Sequence, residues 1–530
     1  MLVFFRTHHK VGFAFLIVFV LAGFSTAHAQ DKPNIIFITT DTLRADHLGC
    51  YGYPEQTSSH IDRLAGESIL FADAITPIPI TACSHTSIFS ALYPAHNGSL
   101  DNSQVVDEKN KLLAEILRDN GYRTAAFVSS IVVNKQTGLN RGFEFFDDPF
   151  PGSERRAGPT IRQTEKWVKT HGDAPFFIWI HLYDAHSPYS PPARYVRNIP
   201  INIKMWKKIN ARMGRMCNLS NEERSTLIAL YDGEIRYMDR QLGYFLELLK
   251  KENLYQQSVI VLMGDHGEIL GEKENYYGHH RFVYEPSIRI PLIIKLPKVL
   301  PQLVPQMTRS IDVIPTLLSY LKIDSRNPWD GRNLWPAIQK KRDDSFPKFC
   351  YIETPPLPVF HYNVLFPASS RFSNALISAS RHFFSAPIPE FSHLFSALIS
   401  ASGHFFSTRT SPNHFWNALI FVSNPFLGTA TRRSDVLGVR TQDWKYWHNR
   451  NTGRFEECLF YLKTDPGETL NLIAKNPGKA RQLKSLLCSY ENTETSLIGS
   501  KNFEQPNAAN EFEEKKHREK ILRLKSLGYL

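Results

Sequence analysis

Short apolar runs in the first half of the chain end abruptly in polar residues. Four such runs begin at Asn34, Thr124, Phe176 and Ser258. Their length and continuous apolar character predict buried strands of a mostly parallel sheet. Between the strands lie helical patterns, such as the apolar positions spaced along residues 235–249. Strands that alternate with helices predict an α/β fold, with a mostly parallel or mixed central sheet flanked by helices.

Polar side chains stand where these predicted strands end. Asp41 follows the first run, His181 ends the third, and Asp265 and His266 follow the fourth. Ligand sites of such sheets gather at the carboxyl ends of the strands. Two carboxylates at one sheet edge repel each other, and a divalent cation offsets that repulsion, while His266 can add a nitrogen ligand. The pattern predicts a metal site, whereas each aspartate taken alone also fits an exposed loop.

Histidines are concentrated in two further segments. His186 follows the third strand together with His181 and Asp184, and His279 and His280 lie in a loop that begins with a glycine. Histidines in such positions bind anions, protonate leaving groups or ligate metals. A solvated loop is the alternative for the second segment.

Thr81 precedes a stretch with a helical apolar face. The amino end of that helix would attract an anionic group, and Thr81 there could act as a metal-activated nucleophile. A structural helix capped by Ser84 or Thr86 is the alternative.

Composition excludes several classes of protein. The chain has 530 residues, of which 42% are hydrophobic, and 62 Lys and Arg against 51 Asp and Glu give a formal net charge of +11. These values exclude wholesale disorder, collagen and coiled coil. The basic residues form no block, so we predict no nucleic-acid partner.

The first 29 residues have the features of a signal peptide. Arg6 and Lys10 precede an apolar run over 11–24, and Ala27-His-Ala29 fits a cleavage site. An uncleaved anchor is the alternative. We therefore expect an exported protein, periplasmic or extracellular, without a stable membrane span after cleavage.

The rest of the chain divides into segments that differ in composition and charge. We expect a catalytic domain over 33–335, a repetitive insertion of low charge over 356–430, a smaller C-terminal α+β subdomain over 435–490, and a charged tail over 491–530. Within the insertion, Ala375-Leu-Ile-Ser-Ala-Ser380 recurs at residues 397–402, which indicates a tandem duplication. A substrate-binding insert is the alternative.

Several motifs follow one another in a characteristic order. They include Asp41-Thr-Leu-Arg-Ala-Asp46, Gly264-Asp-His-Gly-Glu268 and Tyr284-Glu285, together with Asp465-Pro-Gly-Glu468 near the end. In this order the chain resembles the sulfatase family of the alkaline phosphatase superfamily over roughly residues 33–335 and 435–475. The resemblance implies an alkaline phosphatase-like core, a smaller C-terminal domain, and hydrolysis of a sulfate ester carried by a small molecule or a glycan.

The resemblance also implies roles for individual residues. Asp41, Asp265 and His266 fall on positions that bind one divalent metal ion, usually calcium, with manganese, magnesium or zinc as alternatives. The residues implied in catalysis are Thr81 at the nucleophile position, His186 against the transferred anion, and His279 or His280 near the family's cationic group.

Three departures from the family pattern leave the chemistry open. Threonine at position 81 cannot form the formylglycine of typical sulfatases, Thr42 replaces a metal-binding aspartate, and the stretch 128–131 lacks the family's Lys and His. The alternatives are therefore a sulfatase with an unusual nucleophile, a phosphodiesterase or phospho-group transferase that uses Thr81, and a catalytically weak metal-binding homologue. The sequence does not define the oligomeric state.

Overall fold

The fold was obtained as a computed structural model. It describes residues 32–148, 154–197, 203–325, 327–340, 345–355, 434–450 and 456–500. The predicted signal peptide and the repetitive insertion lie outside these residues, as does the tail beyond residue 500. The predicted domain boundaries therefore remain predictions.

Strands and helices alternate along most of the described chain, as the apolar pattern predicts. The strands are β1 (Asn34–Thr40), β2 (Ile69–Ile75), β3 (Arg123–Phe127), β4 (Phe145–Asp147), β5 (Phe176–Leu182), β6 (Arg215–Met216), β7 (Ser258–Gly264), β8 (Ile269–Leu270), β9 (Tyr276–Gly278), β10 (Arg289–Lys295), β11 (Gln302–Val304), β12 (Thr308–Arg309), β13 (Phe349–Glu353), β14 (Val436–Thr441), β15 (Trp444–Asn449) and β16 (Glu456–Tyr461). The α-helices are α1 (Ser59–Gly66), α2 (Thr81–Ser90), α3 (Pro94–Asn97), α4 (Leu113–Asp119), α5 (Ala157–His171), α6 (Ile203–Asn210), α7 (Asn221–Lys251), α8 (Glu285–Ile288), α9 (Val313–Tyr320), α10 (Trp335–Lys340) and α11 (Pro477–Ser500).

The central sheet is mixed, as expected, and has nine strands. Its order is β11-β2-β10-β7-β1-β5-β3-β4, and β12 pairs with β2. Strands β7, β1, β5, β3 and β4 are parallel to one another, and β10 runs antiparallel to both β7 and β2. The two centre strands, β1 and β7, therefore end at the same edge.

Both faces of the sheet are covered, which explains why β1 is apolar at successive positions. Ile35 and Phe37 pack into the core on one face, and Ile36 and Ile38 pack into the core on the other. All four side chains are buried. The predicted α/β arrangement with helices on both sides is confirmed.

Helix α7 covers one face and begins at a capping box. The Ser220 hydroxyl accepts a hydrogen bond from the Glu223 amide, and the Glu223 carboxylate accepts one from the Ser220 amide. Farther along α7, the buried Tyr231 hydroxyl donates to the Thr42 carbonyl at 2.7 Å and accepts from the Arg44 amide at 3.0 Å. The helix thus fixes the loop that follows β1.

A separate antiparallel sheet lies towards the C-terminus, with the order β13-β14-β15-β16. Strands β14 to β16 fall where the sequence predicts antiparallel strands. Strand β13 comes from Phe349–Glu353, ahead of the repetitive segment, and was not predicted there. Its pairing with β14 brings Thr354 and Val436 together, with the Thr354 amide 3.0 Å from the Val436 carbonyl.

Buried charges join this sheet to the central one. The Arg440 guanidinium donates to both oxygens of Asp73, at 2.6 and 2.8 Å, and lies 3.3 Å from Glu285. Lys445, also buried, pairs with Glu285 at 2.9 Å and with Glu468 at 2.6 Å. The Tyr-Glu and Asp-Pro-Gly-Glu motifs of the sequence therefore meet in one ion-pair network.

Candidate active site

The register of β1 and β7 brings two aspartates together. Thr40 pairs with Gly264, so the residues that follow, Asp41 and Asp265, leave the sheet side by side. The Asp41 amide donates to the Leu182 carbonyl of β5 at 2.8 Å, and the Asp265 amide donates to the Thr40 carbonyl at 3.2 Å. Backbone hydrogen bonds thus hold both carboxylates at the edge where sequence reasoning places them.

Asp41, Asp265 and His266 form a compact group of ligand atoms. His266 Nε2 lies 3.8 Å from Asp41 Oδ1 and 3.5 Å from Asp265 Oδ2, and one ligand atom of each residue lies within 4.8 Å of the others. His266 Nδ1 donates to the Gly267 carbonyl at 3.0 Å, so its Nε2 lone pair faces the two carboxylates. Two atoms that each lie ~2–2.5 Å from one ion are at most twice that distance apart, so the separations in this group fit the ligands of a single metal ion.

The electrostatics of this group also fit a cation. Both carboxylates are fully buried, and no described Lys or Arg forms an ion pair with either. Both oxygens of Asp41 and Oδ2 of Asp265 lack a hydrogen-bond partner among the described residues. Burial raises the pKa of Asp41 to about 7, although His266 opposes this, and burial and the charge of Asp41 raise the pKa of Asp265. A divalent cation would satisfy these oxygens.

Thr81 is the first residue of helix α2 and is fully buried. Its Oγ1 lies 3.4 Å from His266 Nε2, so the hydroxyl enters the space between the candidate ligands. The helix is anchored there because the Ser84 hydroxyl donates to the Asp265 carbonyl at 2.7 Å and the Ala82 amide donates to Asn102 Oδ1 at 2.9 Å. The structure therefore brings the predicted nucleophile to the predicted metal ligands.

Neighbouring side chains do not supply the missing family groups. Cys83 packs with Ile78 and Ile80, and burial raises the pKa of its thiol far above the usual value. The Thr42 hydroxyl donates to the Ala185 carbonyl at 2.7 Å. Cys83 is therefore a packing residue and is not placed as the nucleophile. Thr42 bonds to the backbone and does not take the place of the metal-binding aspartate of the family.

His181 faces Asp41; the sequence places it at this edge with anion binding, proton donation and metal ligation as open roles. Its Nδ1 accepts a hydrogen bond from the Ser129 amide at 3.4 Å, so a neutral ring carries its proton on Nε2. That Nε2 lies 3.6 Å from Asp41 Oδ2. A neutral His181 therefore has no lone pair on Nε2 for a metal, and its N–H faces the Asp41 carboxylate at slightly more than hydrogen-bond distance.

His85 is a site residue that sequence reasoning missed. Its Nδ1 donates to the Thr81 carbonyl at 2.8 Å and lies 3.6 Å from Asp265 Oδ2. Its Nε2 accepts from the Thr39 hydroxyl at 2.9 Å, and that hydroxyl accepts from Trp179. The spacing of four residues from Thr81 on one helix is the signal that could have predicted this contact.

The predicted catalytic histidine His279 lies against His266, and His186 and His280 lie against His279. The His279 ring centroid is 4.6 Å from that of His266 and 5.1 Å from that of His186. The His280 ring packs against His279 at 5.4 Å and against Tyr276 at 6.3 Å. Burial lowers the pKa of His186 well below its usual value, that of His279 to about 4 and that of His280 to about 3. Among these ring contacts, His279 is thus the predicted catalytic histidine that packs on a candidate metal ligand.

Comparison with known proteins gives one family. The profile of the family described as Sulfatase matches residues 33–323. An ulvan-active sulfatase of Formosa agariphila is 24% identical over 59% of this chain and 67% of its own. A Δ4,5-hexuronate-2-O-sulfatase of Bacteroides thetaiotaomicron is 22% identical over 62% of this chain and 79% of its own.

Solved structures show the same fold. A structure in complex with its substrate D-glucosamine-2-N,6-O-disulfate superposes with a TM-score of 0.61 at 18% identity, over 88% of this chain and 99% of that one. A phosphonate monoester hydrolase of Agrobacterium radiobacter gives 0.61 at 17% identity, over 87% and 96%. At these identities the likeness concerns the fold, and the family profile carries the assignment. The chain therefore belongs to the sulfatase family of sulfuric ester hydrolases.

Proposed function

We propose that this protein hydrolyses sulfate esters of an exported substrate, a small molecule or a glycan, with Thr81 as nucleophile beside one divalent metal ion. The observation that carries the proposal is the position of Thr81 Oγ1, 3.4 Å from His266 Nε2 and buried among candidate ligands. Relatives named for ulvan and hexuronate substrates support a glycan ester. The predicted signal peptide supports export, and no described helix has the length and apolar character to span a bilayer.

Asp41, Asp265 and His266 would hold the metal. The two carboxylates suit calcium, magnesium or manganese, calcium being the usual ion of the family, and the imidazole also suits zinc. A divalent cation bound there would supply positive charge that lowers the pKa of the Thr81 hydroxyl and offsets the charge of the ester.

The reaction then has two displacements at sulfur. Thr81 Oγ attacks sulfur while the bond to the alcohol oxygen breaks, and His186, His279 or His280 gives that oxygen a proton. Water then attacks the sulfur of the Thr81 ester, releases sulfate, and restores the hydroxyl of Thr81. The first displacement leaves Thr81 as a sulfate ester, and the second returns the protein to its starting state.

The identity of residue 81 favours a second candidate, cleavage of phosphodiesters. A threonine side chain cannot form the formylglycine of typical sulfatases, so a covalent intermediate must be resolved by attack of water on the transferred group. Members of the superfamily that use threonine in this way transfer phosphoryl groups. The same side chains would serve attack on phosphorus.

A substrate panel distinguishes the two candidates. Purified residues 30–530 would be assayed on an aryl sulfate and on aryl phosphate mono- and diesters, each with calcium, manganese, magnesium and zinc. The proposal predicts metal-dependent turnover of the sulfate. Turnover of the phosphate diester alone would contradict this proposal and support the phosphodiesterase candidate. Metal binding without turnover of any ester would indicate a binding protein.

A further inference from the structure

Glu268 is a fully buried carboxylate beside the active site. It follows the candidate ligand His266 by two residues, and its two oxygens have different partners. The Tyr189 hydroxyl donates to Oε2, while Oε1 lies 3.2 Å from His279 Nδ1. No part of the mechanism above uses this carboxylate.

The segment around Glu268 is held on both sides. The Arg44 guanidinium donates to the Glu268 carbonyl at 3.1 Å, and the Gly267 amide donates to the Ser287 carbonyl at 2.9 Å. A Cβ at Gly267 would lie only 2.1 Å from the Pro286 carbonyl oxygen, so any other residue would displace this segment. Glu268 is therefore fixed before any ligand binds.

His279 is the partner that Glu268 orients. Its backbone carbonyl accepts a hydrogen bond from the Tyr276 hydroxyl, and its Nδ1 is the ring nitrogen that faces Glu268. Its side chain is 11% exposed, and its ring lies against those of His266 and His186. With Nδ1 engaged, Nε2 is the nitrogen left for a substrate.

We infer that Glu268 is a positioning residue that holds His279 by Nδ1–H so that Nε2 faces the leaving oxygen of the ester. This inference rests on the proposed function and selects His279 among the candidate proton donors. As Thr81 Oγ attacks sulfur, its proton goes to His279 Nε2, and when the bond between sulfur and the alcohol oxygen breaks, the electron pair goes to that oxygen, which takes this proton from Nε2. In the second displacement a proton of the attacking water goes to Nε2 and from there to Thr81 Oγ, while Nδ1–H stays on Glu268.

Leaving-group dependence tests the role, because proton donation matters most for poor leaving groups. The assay compares kcat/KM for a 4-nitrophenyl ester with that for an alkyl ester of the same acid, sulfate or phosphodiester, whichever the wild type cleaves. For Glu268→Gln we expect a loss of roughly 10²-fold on the alkyl ester and less than ~10-fold on the nitrophenyl ester. Glu274→Gln, an exposed glutamate of the same segment, is the matched control and keeps both rates.

Two further variants separate positioning from general damage. In a His279→Ala background, Glu268→Gln should add less than ~3-fold, because the residue acts through His279. Equal losses on both esters, or a full additional loss in that background, would overturn the inference. Tyr189→Phe, which leaves Glu268 without its second partner, should show the same pattern more weakly.

A measurement that does not depend on turnover tests the role of Glu268 separately from the proposed function. Histidine ring ¹⁵N shifts of the metal-loaded protein should show His279 protonated on Nδ1 and should change on Glu268→Gln. A ring protonated on Nε2 alone in the wild type would overturn the positioning role whatever ester is cleaved. Absence of all ester turnover with the Nδ1–H ring present would contradict only the proposed function.

Discussion

Thr81 Oγ1 lies 3.4 Å from His266 Nε2 although 185 residues separate the two in sequence. The contact exists because β7 ends next to β1 and because Ser84 ties helix α2 to the backbone of Asp265. This relationship is the basis for treating Thr81 as the reacting group.

Metal-free protein should lose stability as pH rises. Burial raises the pKa of Asp41 from 3.8 to about 7, so the folded state holds a proton that the unfolded state releases between these values. The contribution of Asp41 to stability is therefore fully present below about pH 4 and is lost as pH rises through about 7. A bound cation removes this penalty. We expect the gain in Tm on adding metal to be larger at pH 8 than at pH 5, and Asp41→Asn to weaken that pH dependence.

Removing the ring nitrogens of His181 should weaken metal binding. His181→Phe keeps the ring in place but loses the N–H that faces Asp41 Oδ2, so the carboxylate is less well oriented. We expect metal affinity to fall about 10-fold or more, measured by titration calorimetry. His171→Phe, at a ring stacked on Trp167 outside the site, is the matched control. Equal affinity in the wild type and His181→Phe would leave His181 as a packing residue.

Arg440 should be important for stability rather than chemistry. Arg440→Met leaves the buried carboxylate of Asp73 without its cation, while Glu285 keeps its ion pair with Lys445. We expect a loss of about 3–5 kcal/mol in the free energy of unfolding, measured in urea. Arg440→Lys should recover part of it. A loss below ~1 kcal/mol would show that the ion pairs do not hold the two sheets together.

Deletion of the repetitive segment should leave the metal site intact. Every candidate ligand lies outside residues 366–425, and the chain on either side is already paired, with the Val436 amide 3.0 Å from the Thr354 hydroxyl. We expect a variant without 366–425 to bind one metal ion per chain, measured by plasma mass spectrometry. A metal-free product would show that the segment belongs to the core.

Continuous apolar runs made the central sheet predictable. A strand buried on both faces carries apolar residues at successive positions, and polar residues at its end then stand out, as Asp41 and Asp265 do. Helix α2 was predictable from its apolar face, but it begins at Thr81 and not at a cap formed by Ser84 or Thr86. The residues offered Thr81 as a nucleophile, and the family resemblance placed it at the nucleophile position.

Other features depend on contacts that no local pattern encodes. Strand β13 pairs with β14 across about 80 residues of sequence. The short apolar segment of β13 has no sequence feature that identifies β14 as its partner. His85 and Glu268 are polar residues whose roles come from the residues they face, Thr81 and His279, once the sheet edge has formed. The two-residue strands β6 and β8 are too short to show the alternation of apolar and polar residues that predicts a strand.

Turnover by Thr81→Ala tests the central claim most directly. The variant and the wild type would be loaded with the same metal, their metal content checked, and both assayed on the best ester of the panel, with Thr81→Ser as the conservative control. Because Thr81 forms the covalent bond, we expect a loss of at least ~10³-fold in kcat with unchanged metal content, and partial activity in the serine variant. Full activity of Thr81→Ala would contradict the account by removing Thr81 from the reaction.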